Sequence, residues 1–216
     1  MSEVRKLAAI LVADIVGYSR LARADEEGTL GRLRALWSDL LDPAIAARRG
    51  RVVKRTGDGA IAAFQSVVDA VRSALEIQSA IAGRNEGVAE DRRILMRIGV
   101  HLGDVVEEAD GDLMGDGVNV AARLEGVAAV GGICLSEDAW RQVKGRIDLP
   151  AEDLGPIRLK NIAEPTPSPL TVNRAPRRAS RLRKPPRPDS PSSSCRSSTS
   201  AADPSRTISW TGSQRA

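Results

Sequence analysis

Apolar positions along this chain come in short blocks whose period switches between strand and helix. Leu7–Ile15 (LAAILVADI) is an aliphatic run that predicts a buried strand, with one acid, Asp14, interrupting it near its end. From Asp25 to Arg49, Leu30, Leu33, Trp37, Leu40 and Leu41 recur at three- and four-residue steps. That spacing predicts a helix kinked or split at Pro43 and stopped by Gly50. Arg51–Arg55 and Ala60–Phe64 then flank Thr56-Gly57-Asp58-Gly59, a hairpin signal. Ser66, with Asp69 three residues on, has the form of a helix N-cap, and Val68, Val71, Leu75 and Ile81 give that helix an apolar side. A polar stretch, Gly83–Asp91, leads into a strand over Ile94–Leu102, expected to turn at Gly103-Asp104 into Val105–Glu108. Beyond Asp110-Gly111-Asp112 the pattern predicts a short helix over Val118–Val127 and a strand over Ile133–Leu135. A helix over Glu137–Lys144, capped by Ser136, and short strands near Ile157–Leu159 and Leu170–Val172 complete it.

Strand, helix, hairpin, helix, strand is a βαββαβ order. It predicts an α+β fold, a ferredoxin-like sheet with its helices packed on one face. In that topology the first strand lies beside the third and antiparallel to it. Asp14, near the end of one, is then a neighbour of Asp58, just before the start of the other. Two adjacent carboxylates repel each other unless a cation lies between them. Mg²⁺ or Mn²⁺, held by a few carboxylates plus substrate phosphates, is the usual solution. Taken singly, most of the polar residues are ordinary. Asp58 suits a turn, Lys54 a solvated strand face, and Asn119 and Arg123 an i,i+4 pair on one helix face. Asp14 is harder to dismiss, because an unpaired charge in an apolar strand is costly. Gly115 and Gly117 suit either a loop or a close backbone approach.

Charge is unevenly spread. Residues 174–216 hold 10 Lys/Arg against 2 Asp/Glu, with 11 Ser and 6 Pro; residues 1–173 hold 22 Lys/Arg against 26 Asp/Glu. The expected organisation is a mildly acidic domain over 1–173 and a basic tail over 174–216. The tail is expected to be disordered, since so few large apolar residues cannot offset chain entropy. Its cluster of Arg177, Arg178, Arg181, Arg183 and Lys184 has no interleaved aromatic, and no specific nucleic acid is expected. The abrupt change near Pro165–Arg174 is also what GC-rich coding DNA gives when read in a shifted frame. With no long apolar run and no secretory leader, no membrane span and a cytoplasmic location are expected. Cys134 and Cys195 form no disulfide or zinc framework. The one histidine, His101, sits within a predicted strand, is read as structural, and has no nucleophile motif to serve.

Four segments occur in a telling order: VADIVGYS (12–19), VKRTGDGAIAAF (53–64), RIGVHLGDVV (97–106) and GDLMGDGVNVAARLE (111–125), with a looser fifth, LKNIAEP (159–165). Together they resemble the catalytic domain of class III nucleotidyl cyclases, the adenylate and guanylate cyclases. The resemblance implies two Mg²⁺ or Mn²⁺ ions per site, held by Asp14, Asp58 and the backbone carbonyl of Ile15. It implies that Lys54 and Asp112 select the purine, that Asn119 and Arg123 steady the ribose and the transition state, and that Lys160 binds the triphosphate. It further implies a homodimer whose sites take their metal aspartates from one subunit and their purine and transition-state residues from the other. The base follows from chemistry once those roles are given. Lysine only donates and an ionised aspartate only accepts, which matches adenine's N1 acceptor and amine donor; guanine presents the reverse. ATP is therefore the expected substrate and cyclic AMP the product. A catalytically inactive, nucleotide-binding regulatory module is the alternative, and six intact polar positions weigh against it.

Overall fold

Strand β1 (Val4–Ile15) is the spine of the sheet. It pairs antiparallel with β4 (Met96–Glu107) along its whole length, and with β3 (Gly59–Phe64) over Ala9–Asp14. The computed structural model describes residues 4–155 and 170–172, all within the first of two units, Met1–Arg178. Strand β2 (Arg51–Arg55) flanks β3, and beyond β4 lie β6 (Ile133–Leu135), β8 (Leu170–Val172) and β7 (Ala151–Asp153). The order is β2-β3-β1-β4-β6-β8-β7, with the short β5 (Leu113–Met114) folded back on β4. Its first four members are the ferredoxin-like arrangement expected from the sequence.

Alternation along β1 divides the interior. Ala9, Leu11, Ala13 and Ile15 face a large core, which also takes Leu33, Trp37, Leu41, Ile45, Phe64, Val71 and Ile77. These come from α2 (Glu26–Leu36), the turn Trp37–Leu41, α3 (Asp42–Ala47), β3 and α4 (Val67–Arg84). Ala8, Ile10 and Val12 face the opposite side, where Ala121 of α5 (Asp116–Val127) covers them with Val105 and Leu113. Burying one such isoleucine contributes about 1.5–3 kcal/mol, so the large face carries most of the stability.

Two expectations need correcting. First, the helix expected over Asp25–Arg49, interrupted near Pro43 as expected, is preceded by a further helix, α1 (Tyr18–Ala24). Asp25 ends α1 and caps α2, accepting from the Gly28 N–H at 2.9 Å. At Pro43 the chain widens into a π-turn over Trp37–Leu41, in which the Asp42 N–H reaches back five residues to the Trp37 carbonyl. Pro43 has no N–H to donate, and the wider turn carries the helix past it. Second, Gly103-Asp104 is no turn; β4 runs straight through it, with Ala8 opposite Gly103 and Leu7 opposite Asp104. Gly103 is glycine for space: a Cβ there would collide with the His101 ring and lie 3.3 Å from the Gly117 Cα. The helices of the βαββαβ core share one face as expected, and the additional helix α5 packs on the opposite side from α2–α4. A Cβ on Gly99 of β4 would strike the Ala121 carbonyl and the Glu125 N–H, so α5 approaches at backbone contact. The strand over Leu170–Val172 is present, whereas Ile157–Leu159 and the basic tail lie outside the described residues.

Candidate active site

The β1–β3 register sets Asp14 opposite Gly59, one residue past Asp58. Alternation sends the Ile15 side chain into the large core, leaving only its backbone for chemistry, while the half-buried Asp14 side chain points to the α5 side. A Cβ on Gly59 would come within 2.9 Å of Asp14 Oδ1, so glycine keeps the space beside that carboxylate open. Burial pushes the Asp14 pKa up, and the Asp58 charge pushes it further; an N–H from Ile15 and the Arg97 guanidinium pull the other way without prevailing. Arg97 lies directly opposite Asp14 on β4.

A third carboxylate belongs to this end of the site. Glu125 on α5 is pushed up to about 7, first by burial, then by the charge of Asp14; Arg97 opposes, and Asp58 adds to the rise. The sequence reading passed over Glu125 and Arg97. The signal was available only in the pairing of β1 with β4 and in Gly99, which lets α5 settle close enough for Glu125 to reach the strand ends.

The second cluster is differently balanced. Lys54 Nζ donates to Asp112 Oδ2 at 2.7 Å, and the Leu113 N–H donates to Asp112 Oδ1 at 2.9 Å. The Lys54 bond and the backbone bond hold the Asp112 carboxyl below its usual range, and the same bond raises Lys54. Fifty-eight positions apart in sequence, the two residues form one donor–acceptor pair on the surface.

Asn119 and Arg123 lie one turn apart on α5, as their spacing predicts. Asn119 is exposed; Arg123 is half-buried, and its buried NH1 has no partner among the described residues. Arg123 is two positions from Glu125, roughly 200° around the helix. It therefore points away from the carboxylates that Glu125 approaches in the same chain. His101 is half-buried on the α5 side of β4, with its pKa lowered by desolvation, as suits a neutral packed ring. Lys160 lies outside the described residues.

The donors fit a hard divalent cation. Asp14 and Asp58 are carboxylates held close enough to repel, and among the described residues no three His, Cys, Asp or Glu side chains converge on one point. Such a pair suits an ion that keeps waters and takes substrate phosphates, as Mg²⁺ does.

Residues 2–168 match the profile of the adenylate and guanylate cyclase catalytic domain. A Rhizobium meliloti (strain 1021) protein named "Putative adenylate cyclase 3" is 49% identical over 161 residues, 74% of this chain and 27% of its own length. An adenylate cyclase of Streptomyces coelicolor is 31% identical over 150 residues, 69% of this chain and 38% of that one. The chain thus spans well under half the length of these relatives. Among solved structures, the adenylate/guanylate cyclase/hydrolase from Silicibacter pomeroyi superimposes with a TM-score of 0.74 at 43% identity, covering 79% of this chain and 98% of that one. The strand register that joins Asp14 to Asp58, the ion pair of the second cluster and these matches agree, and the chain belongs to the adenylate and guanylate cyclase catalytic-domain family.

Proposed function

We propose that residues 1–173 form a cytoplasmic adenylate cyclase domain that converts ATP to 3′,5′-cyclic AMP and pyrophosphate at two sites shared across a homodimer. The observation that carries this reading is the convergence of Asp14 and Asp58 at the joined ends of β1 and β3, where their mutual repulsion favours capture of a cation. Asp14, Asp58 and the Ile15 carbonyl would hold two Mg²⁺ or Mn²⁺ ions, which supply Lewis acidity to the ribose 3′-hydroxyl and charge neutralisation to the triphosphate. Lys54 donates to adenine N1 and Asp112 accepts from the exocyclic amine, which fixes the base. Asn119 orients the ribose. Arg123 stabilises charge developing on the α-phosphoryl group as the 3′-oxygen bonds to phosphorus and the bond to pyrophosphate breaks. Lys160 contacts the triphosphate.

The shared site is supported by α5. Arg123 faces away from its own chain's Asp14, and its unpaired buried nitrogen suits a ligand brought by a second subunit. Purified protein with ATP and Mn²⁺ should form cyclic AMP, EDTA should abolish the activity, and GTP should be a poor substrate. Nucleotide binding without turnover would instead favour the regulatory-module reading; equal turnover of GTP and ATP would overturn the base assignment. Asp14→Ala and Arg123→Ala should each be inactive. Mixed in equal amounts with free subunit exchange, they should recover about a quarter of wild-type activity, since half the dimers then carry one intact site.

A further inference from the structure

Strand alternation should put Arg51 and Lys54, three positions apart, on opposite faces of β2. They are on the same face. The β2–β3 register runs Arg51 opposite Ala63 and Val52 opposite Ala62, then resumes with Lys54 opposite Ile61 and Arg55 opposite Ala60. Val53 is the extra residue of a β-bulge. Ala63 and Ile61 are two apart on β3, and both pack with Val53 on the α5 side of the sheet, whereas Val52 packs into the large core. Arg55 returns to the large-core side, with its guanidinium 5.3 Å from the Trp37 ring.

Both long cations therefore reach the loop between β4 and β5. Arg51 NH1 donates to the Gly111 carbonyl at 2.7 Å, and NH2 donates to Glu107 Oε1 at 2.8 Å; Lys6 takes the other Glu107 oxygen. The loop is closed internally by Gly111 N–H to the Glu108 carbonyl and Glu108 N–H to the Asp112 carbonyl, each 3.0 Å. Asp110 Oδ1 accepts from the Asp112 N–H at 2.9 Å. Gly111 sits at φ +85°, and a Cβ there would lie 3.1 Å from Arg51 NH1. Arg51 thus grips the peptide immediately before Asp112 with one arm of a planar fork, while its other arm is braced on β4.

We propose that Arg51 is the positioning residue for base selection: brought to the face of Lys54 by the Val53 bulge, it fixes the Gly111–Asp112 peptide so that the Asp112 carboxylate meets the adenine amine at the correct angle. The proposal rests on the adenine-reading role given to Lys54 and Asp112. Arg51 touches no substrate; it acts through Asp112, and a lysine could keep the charge but not the two-armed geometry.

The test compares wild type, Arg51→Gln, Arg51→Lys and, as a control for charge loss at an exposed ion pair, Arg48→Gln. Arg51→Gln should raise the KM for ATP roughly tenfold with kcat changed far less, since a displacement of about 1 Å at a positioning group costs up to about 100-fold. The preference for ATP over GTP should fall in step. Arg51→Lys should restore part of both, and Arg48→Gln should match wild type. A purely structural role would lower kcat through lost folded protein while leaving the KM and the ATP/GTP ratio where they were, and that result would overturn the proposal. If wild type makes no cyclic AMP, the cyclase reading fails separately. Displacement of a fluorescent ATP analogue by ATP and by GTP then reads the same selectivity, and unchanged selectivity in Arg51→Gln, or no nucleotide binding at all, would overturn the clamp.

Discussion

The two ends of the site are electrostatic opposites. At the β1–β3 end, the charges of Asp14, Asp58 and Glu125 bear on one another with Arg97 as the opposing cation, and the carboxyls of Asp14 and Glu125 are pushed up. At the β4–β5 end, the carboxyls of Glu107 and Asp112 are held down by Lys6 and Lys54, each bonded to its partner. The first end is short of positive charge until something binds. The second is complete in itself and has little need of an ion. This division suits a substrate with a metal-bound triphosphate at one end and a neutral purine at the other: one half of the site awaits charge, and the other presents fixed donors and acceptors.

Breaking the first end should have the largest effect. Asp14→Asn should reduce turnover by several orders of magnitude, and in metal-free buffer it should raise the melting temperature, because a neutral amide no longer suffers the repulsion that lifts the Asp14 pKa. A lowered melting temperature in EDTA would show that the pair is not strained. Asp112→Asn tests the other end and should behave in the reverse sense. The amide still accepts from Leu113, but the ion pair with Lys54 is lost, so ATP binding should weaken by roughly tenfold and the preference over GTP should narrow. Stability should change little, as for other exposed pairs. Titrations of Asp112→Asn and wild type with ATP and GTP check both.

A smaller effect separates the two ends by pH. Burial and the neighbouring carboxylates raise the folded pKa of Glu125 from the usual carboxylate range to about 7. The folded state therefore holds this proton where the unfolded chain has lost it. Stability from this group is greatest below the unfolded value, falls as pH rises between the two values, and is lowest above the folded one. Glu107 and Asp112 act oppositely: their pKa values are lowered in the fold, and their contribution is lost as pH falls through those lowered values. Melting curves from pH 4 to 8 without divalent ions should show a limb that descends through mildly acidic pH and levels off near pH 7, and that Glu125→Gln flattens. A limb unchanged in that variant would assign it to another group.

Much of this was legible beforehand, and unevenly so. The order of strands and helices came from period and punctuation, and the order in turn implied that β1 and β3 are neighbours. That made Asp14 and Asp58 a pair before any coordinates were considered. The α5 segment was recognisable as a helix with Asn119 and Arg123 on one side. The face of the sheet it covers was not, because Gly103 read as a turn, Gly99 as an ordinary strand position and Gly117 as either loop or close approach, whereas all three leave space that a Cβ would fill where α5 meets the sheet. Gly103 misled most directly, breaking on paper a strand that runs through it.

What the sequence determined by itself is therefore most of the elements of the βαββαβ core, the residue types at the site and the family. Each depends on local spacing, or on motifs that keep their order along the chain. What only the tertiary structure decided is which side chains share a face and which charges share a neighbourhood. One extra residue at Val53 brings Arg51 and Lys54 to the same side of β2, and a cross-strand register puts Arg97 beside Asp14. A bulge is invisible in a hydrophobic pattern, because it shifts alternation by a single position without changing composition. Electrostatic environment is invisible for the same reason: the direction in which a carboxyl's pKa moves is set by burial and by charges that arrive from other strands.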